Sequence, residues 1–233
     1  MIKRRSLGQH FLITQSIAKS IVDSAGITKD DIVLEIGTGK GILTPLLCQN
    51  AKQVISVEKD PLLYSQANDV FSHVPNLVLE EGDAFKKNIG FTILVSNLPY
   101  SESRTAIEWL VQKKFKRAII MVQKEFAQKL AKTDGKERRA VSVLANYCLD
   151  IENVLDVKNT NFRPPPKVDS IVISIVPKHV LSSQTVHAVN KLFSFKRKTI
   201  RNIGKKMGIE IDSDKRLEEM PDGEIIEIAK RIK

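Results

Sequence analysis

Four short stretches carry residue types that could do chemistry together. Glu35-Ile-Gly37-Thr-Gly39-Lys-Gly41 follows a short apolar run and leads into a helical pattern. Glycines at that place let the backbone turn tightly and approach a ligand closely at the C-terminal edge of a sheet. Glu58 ends a second apolar run, seventeen residues past Gly41. A carboxylate at a strand end can accept from two adjacent ribose hydroxyls, because two neighbouring O–H donors suit one acid. A third run is followed by Glu81-Gly-Asp83-Ala84, which places the Asp83 carboxylate to accept from an exocyclic amine. A fourth ends in Ser96-Asn97-Leu98-Pro99-Tyr100. The Asn97 side-chain oxygen and the Leu98 carbonyl are two acceptors that can hold both N–H groups of a base amine. Pro99 fixes the turn, and Tyr100 offers a face on which an unstacked base can lie.

Three nucleotide-type patterns compete for the glycine stretch. A P-loop requires Gly-Lys followed by Ser or Thr, and Gly39-Lys40 is followed by Gly41. The dinucleotide pattern G-x-G-x-x-G requires glycine at position 42, which is Ile42. The third, E/D-x-G-x-G-x-G, is matched in full and resembles the S-adenosylmethionine (SAM) loop of methyltransferases. Asn97-Leu-Pro-Tyr100 likewise resembles the (D/N)-P-P-(Y/F) motif of enzymes that methylate exocyclic amino nitrogens. The chemistry explains the residue types. An adenine N6 lone pair is delocalised into the ring, so acceptors that favour a pyramidal nitrogen help it attack. A sulfonium is already activated, so positioning and electrostatics replace a strong base.

These residues need a scaffold of successive strands. β-rich apolar runs at Asp31–Ile36, Gln53–Val57, Leu77–Leu79, Phe91–Ser96 and Ala118–Val122 alternate with helical patterns, which predicts an α/β fold with a mostly parallel, Rossmann-like sheet. Val154–Val157 and Ser170–Val176 follow with only a Pro-rich loop between them, so an antiparallel hairpin is expected at the end of the sheet. After Pro177 the β pattern gives way to helices over Val186–Phe195, Lys198–Met207 and Glu224–Ile232. The expected division is a methyltransferase domain over 1–178 and a small helical RNA-binding domain over 179–233. At 233 residues the chain fits one large domain with an appendage, roughly 1.6 domains by length.

Composition excludes several classes. With 42% apolar and 27% charged residues the chain is globular rather than disordered. No apolar run reaches the ~18 residues of a membrane span, and none behind Met1-Ile-Lys-Arg-Arg-Ser suits a signal peptide. Cys48 and Cys148 exclude a disulfide framework and read as reduced core thiols of a cytoplasmic protein. His10, His73, His179 and His187 lack metal-ligand spacing, so no metal is expected. Net charge is +10, and it is segregated: residues 194–207 hold six Lys/Arg and no acid, whereas residues 209–233 hold eight acids and five basic residues. Such patches point to a phosphate backbone. On a helix from Lys198, an apolar stripe of Phe193, Ile200, Ile203 and Met207 would leave Arg197, Arg201 and Lys205 on a solvent-facing side.

Further matches identify a family. Gly8-Gln9-His10-Phe11-Leu12, Gln123-Lys-Glu125, Phe162-Arg-Pro-Pro-Pro-Lys-Val-Asp-Ser170 and Phe195-Lys-Arg-Lys-Thr-Ile-Arg201-Asn202 join the motifs above. Together they resemble the KsgA-type small-subunit rRNA adenine dimethyltransferases, relatives of the erythromycin-resistance enzymes of the large subunit. The resemblance implies SAM as cofactor, held by His10, Leu12, Gly37, Gly39, Gly41, Glu58, Asp83, Ala84 and Asn97. It implies a catalytic turn Asn97, Leu98, Pro99, Tyr100, with Phe162 as the opposite wall of the base pocket. It further implies a monomer whose partner is the small ribosomal subunit and its rRNA, contacted by Arg197, Lys198, Arg201 and Lys205. The reaction expected is dimethylation of N6 on two adjacent adenines of a 3'-terminal hairpin. The family's usual residues differ at His10 (Asn), at Ser101-Glu-Ser103 (Asn-Ile-Ser) and around Arg138-Arg139-Ala140 (Tyr-Gly-Arg). The competing readings are a large-subunit rRNA methyltransferase, a non-catalytic ribosome-assembly protein, and a dehydrogenase on the same fold.

Overall fold

The computed structural model describes residues 9–232. Gly8, the first residue of one family match, lies outside them. In chain order the elements are β1 (Phe11–Leu12), α1 (Gln15–Ser24), β2 (Ile32–Ile36), α2 (Thr44–Asn50), β3 (Gln53–Glu58), α3 (Pro61–Phe71), β4 (Leu77–Glu81) and β5 (Ile93–Asn97). They continue with α4 (Ser103–Leu110), β6 (Arg117–Gln123), α5 (Lys124–Leu130), α6 (Ala140–Cys148), β7 (Leu149–Val157), β8 (Phe162–Arg163) and β9 (Ser170–Pro177). Three helices close the chain: α7 (Ser183–Ser194), α8 (Ile200–Met207) and α9 (Asp222–Lys230).

Seven strands form one sheet in the order β4-β3-β2-β5-β6-β9-β7. β4, β3, β2, β5 and β6 run parallel, and β9 is antiparallel to β6. The central strands read as continuous apolar runs because helices cover both faces of a parallel sheet. Val33, Leu34, Val54, Ile93, Val95, Ile119 and Met121 are all buried there. From β2 the chain moves outward through β3 and β4, then restarts on the other side with β5. The ends of β2 and β5 therefore flank the topological switch point, where open α/β sheets bind their ligands.

The Pro-rich loop does more than join two strands. It leaves the sheet as β8 and pairs antiparallel with β1, with Leu12 opposite Phe162 and Phe11 opposite Arg163. Ile13 N–H donates to Asn161 O at 2.9 Å and Thr14 Oγ1 to Asn161 Oδ1 at 2.7 Å, which extends this strap. β9 takes the place between β6 and β7.

The chain divides into two compact units. One comprises the residues up to Ser103 together with Phe115–Lys124 and Ile151–Val176; the other comprises Arg104–Lys114, Glu125–Asp150 and the chain from Pro177 on. This differs from the expected division at residue 178, because α4 from Arg104 on, α5 and α6 group with the C-terminal helices. The cause is burial: α6 is apolar on nearly every side and packs against both α7 and α9. Within that unit the Arg138 side chain is fully buried, donating to Leu217 O at 3.0 Å and ion-pairing with Asp222.

Candidate active site

The glycine loop is held by its backbone. Gly37, Gly39 and Gly41 have φ of 83°, 56° and 74°, values that L side chains rarely adopt. Gly37 N–H donates to Val57 O at 2.8 Å, fixing the loop to the end of β3. A Cβ on Gly37 would meet nothing within 4 Å, so its face opens on empty space. Gly41 differs from expectation. It does not line the cavity, and a Cβ there would sit 2.3 Å from the Phe71 ring, so this glycine serves loop packing against α3.

Two adjoining cavities meet at Gly37, Glu58, Leu98 and Pro99. The first lies between the β1 strap and the glycine loop; His10, Leu12, Glu35, Gly39, Asn97, Tyr100 and Phe162 contribute to its wall. The second is lined by Asp83, Ala84, Lys59, Phe85 and Glu102 among others. Of the expected cofactor residues, only Gly41 stands apart.

Glu58 is 4% exposed, and its carboxylate already accepts the Gly39 N–H at 2.9 Å and the Asp60 N–H at 2.8 Å. It thus latches the loop while retaining lone pairs toward the cavity. Asp83 caps a short 3₁₀ turn by accepting from Phe85 N–H at 3.1 Å, and Lys59 Nζ lies 3.3 Å from its other oxygen. Lys59 is also 3.8 Å from Glu102. Asn97 ends β5, and its amide makes no hydrogen bond among the described residues, so both of its polar atoms are available to the cavity. Leu98 is buried, anchoring the turn. Tyr100 is held by a 2.7 Å bond between its hydroxyl and Ser170 Oγ, and burial raises its phenol above the usual range against the pull of Ser170. The His10 ring lies 5.7 Å from Tyr100, with Nδ1 2.7 Å from Pro164 O.

Several contributors have partners that the motifs did not show. Glu35, the first residue of the glycine pattern, is 1% exposed and accepts at Oε2 from Thr44 Oγ1 at 2.8 Å and Ser56 Oγ at 2.6 Å. Burial pushes its carboxyl up to about 7; Ser56 and Thr44 oppose this, and the nearby Glu58 charge adds to it. Ser170 and Lys59 also carried no signal alone. Burial raises the thiols of Cys48 and Cys148 to about 11 and about 12, which makes both unreactive.

The basic C-terminal residues form a less regular face than expected. α8 begins at Ile200, so Arg197 and Lys198 sit in the preceding turn and cannot continue a helical row with Arg201. Thr199 instead bridges to Arg216. Arg197, Lys198 and Lys205 are exposed, whereas Arg201 pairs with Asp212 at 2.8 Å and Asp214 at 3.4 Å. Arg197 also lines a hollow with Lys136, Lys196, Arg216 and Glu218.

Known proteins resemble this chain in sequence and in fold. The family model for ribosomal RNA adenine dimethylase matches residues 2–233. A probable ribosomal RNA small subunit methyltransferase A of Methanococcus aeolicus is 35% identical over 97% of this chain and 88% of its own. A ribosomal RNA small subunit methyltransferase A of Thermotoga petrophila is 38% identical over 85% and 78%. The crystal structure of a dimethyladenosine transferase from Plasmodium falciparum superposes with a TM-score of 0.78 at 26% identity, covering 94% of this chain and 96% of that one. With its glycine loop, its acids at successive strand ends and its Asn97–Tyr100 turn on one sheet edge, the chain belongs to the ribosomal RNA adenine dimethylase family.

Proposed function

We propose that this protein transfers two methyl groups from SAM to N6 of each of two adjacent adenines in the 3'-terminal hairpin of small-subunit rRNA, during ribosome biogenesis in the cytoplasm. The observation that carries this reading is the unpartnered Asn97 amide, set in the same cavity wall as Glu58, Gly37, Tyr100 and Phe162. The cavities suit SAM: Gly37 leaves room where a side chain would stand, and Glu35 and Glu58 have no ion-pair partner among the described residues. Gly37, Gly39, Glu58, Asp83 and Ala84 would hold it, with His10 and Leu12 closing over it from the strap. Bound there, its sulfonium supplies an activated methyl and its own neutral leaving group.

The chain supplies the remaining work. Asn97 Oδ1 accepts an N–H of the target amine, drawing the nitrogen toward a pyramidal geometry. Pro99, at φ −54°, fixes the turn that carries Tyr100. Tyr100 and Phe162 stack on a base taken out of its helix, and the Ser170 bond keeps the phenol in place. No group of high basicity is required, since orientation and preorganised acceptors supply the rate.

Arg197, Lys198 and Lys205 would contact the rRNA backbone as a single-chain enzyme docks, with Arg201 contributing less because acids already face it. Tritiated SAM incubated with undermethylated small and large subunits, followed by mapping of the labelled nucleotides, tests the assignment. Label on two adjacent adenines of the 3'-terminal hairpin is expected. Label appearing only in large-subunit rRNA would transfer the activity to the competing reading.

A further inference from the structure

Glu35 breaks the rule of its own strand. β2 is otherwise Ile, Val, Leu and Ile, and an acid at the centre of a buried parallel sheet departs from every local preference. Such departures gather at functional sites. Only hydroxyls hold it: Thr44 and Ser56 both donate to Oε2, and Thr38 backs Ser56 with a 2.6 Å contact between their oxygens. No hydrogen bond reaches Oε1 among the described residues. Glu35 is nevertheless part of the wall of the first cavity. The titratable groups around it are Glu58 at the end of β3 and Cys48 on α2, with Lys40 of the glycine loop and His10 of the strap on the same cavity. Lys40 is drawn elsewhere, its Nζ 5.0 Å over the Phe11 ring. A carboxyl that is buried, beside another acid and without a cation holds its proton; here burial brings it to about 7, so a modest change in local charge decides its state.

We propose that Glu35 carries a proton in the ligand-free protein and gives it up when a cationic methyl donor enters, so that the site reads the donor's positive charge and lets the uncharged product go. The inference rests on the assignment of these cavities to SAM. On ligand entry the O–H bond at Glu35 breaks, its electron pair stays on the carboxylate, and the proton leaves through the cavity mouth to the buffer; no bond to the ligand forms. After methyl transfer the bound product is a neutral thioether, and Glu35 recovers a proton from solvent. Glu35 is thus a residue for charge specificity, whereas Glu58 and Gly37 hold the ligand.

Calorimetric titration of the full chain with SAM and with S-adenosylhomocysteine, in buffers of different ionisation heat, tests this. SAM should release about half a proton at pH 7 and more at about pH 6, and S-adenosylhomocysteine distinctly less. In Glu35→Gln the release should vanish, and the preference for SAM over the product should fall severalfold. Buffer-independent heats for the wild type overturn the proposal. So does undiminished release in the variant, which would assign the proton to another group. Failure of SAM to bind at all overturns the cofactor assignment, whereas SAM binding with buffer-independent heats overturns this proposal alone. Wild-type protein labelled with ¹³C at the glutamate carboxyls needs no substitution. One carboxyl should titrate near neutrality and shift to lower pH with SAM; no such resonance in the free protein overturns the proposal.

Discussion

At the residue scale, Glu58 has two duties that a substitution would end together. Glu58→Ala should weaken SAM binding by about 1.5–3 kcal/mol, the range for hydrogen bonds to a charged group. The same change frees the Gly39 and Asp60 N–H groups that its carboxylate now engages, so Glu58→Gln should recover part of the loss. Calorimetry on the ligand-free protein checks both variants; equal affinity for wild type and Glu58→Ala would reduce Glu58 to a loop latch. Glu35 gives a pH dependence of stability with a definite sign. Its carboxyl binds a proton more tightly folded (about 7) than unfolded (4.5), so ionising it costs stability as pH rises through that window. The ligand-free wild type should therefore lose about 2 kcal/mol relative to Glu35→Gln between about pH 5 and 7. Thermal denaturation of the two proteins across that range measures it, and parallel curves would show that Glu35 ionises normally.

At the element scale, the motif glycines were legible because positive φ demands glycine, and three spaced by two residues after a strand leave few alternatives. What each glycine faces was not legible. Gly41 meets Phe71, thirty residues on, only because α3 returns across the loop. Gly41→Ala should therefore cost a few kcal/mol from overpacking and backbone strain, read as a fall in Tm even without ligand. Gly37→Ala has open space before it and should chiefly weaken SAM binding. The parallel strands and the Asn97 turn followed from continuous apolar runs and turn residues. The β1–β8 strap did not, because two-residue strands carry no periodicity and their pairing joins positions about 150 residues apart. The Glu35 hydroxyl shell was hidden for the same reason: Thr44 and Ser56 converge only once β2, α2 and β3 are assembled.

At the scale of the whole molecule, net charge and its segregation pointed to a polyanion, while the linear order of charges misplaced Arg201. Asp212 and Asp214 lie outside the acid-free window 194–207 but fold back on Arg201. Changing Arg197, Lys198 and Lys205 to Gln should flatten the salt dependence of subunit binding, by up to ~0.9 in slope for each phosphate left without its cation. Arg201→Gln should flatten it less, and SAM affinity should be untouched by either change. An unaltered slope in the triple variant would leave these residues a solubilising role. The most direct measurement is nucleoside mass spectrometry of undermethylated small subunits incubated with SAM and either the wild type or Asn97→Ala. The wild type should convert its targets to N6,N6-dimethyladenosine. The variant, at saturating SAM, should be slower by ~10²-fold or more. Monomethyladenosine alone at completion, or wild-type turnover by Asn97→Ala, would contradict the assigned chemistry.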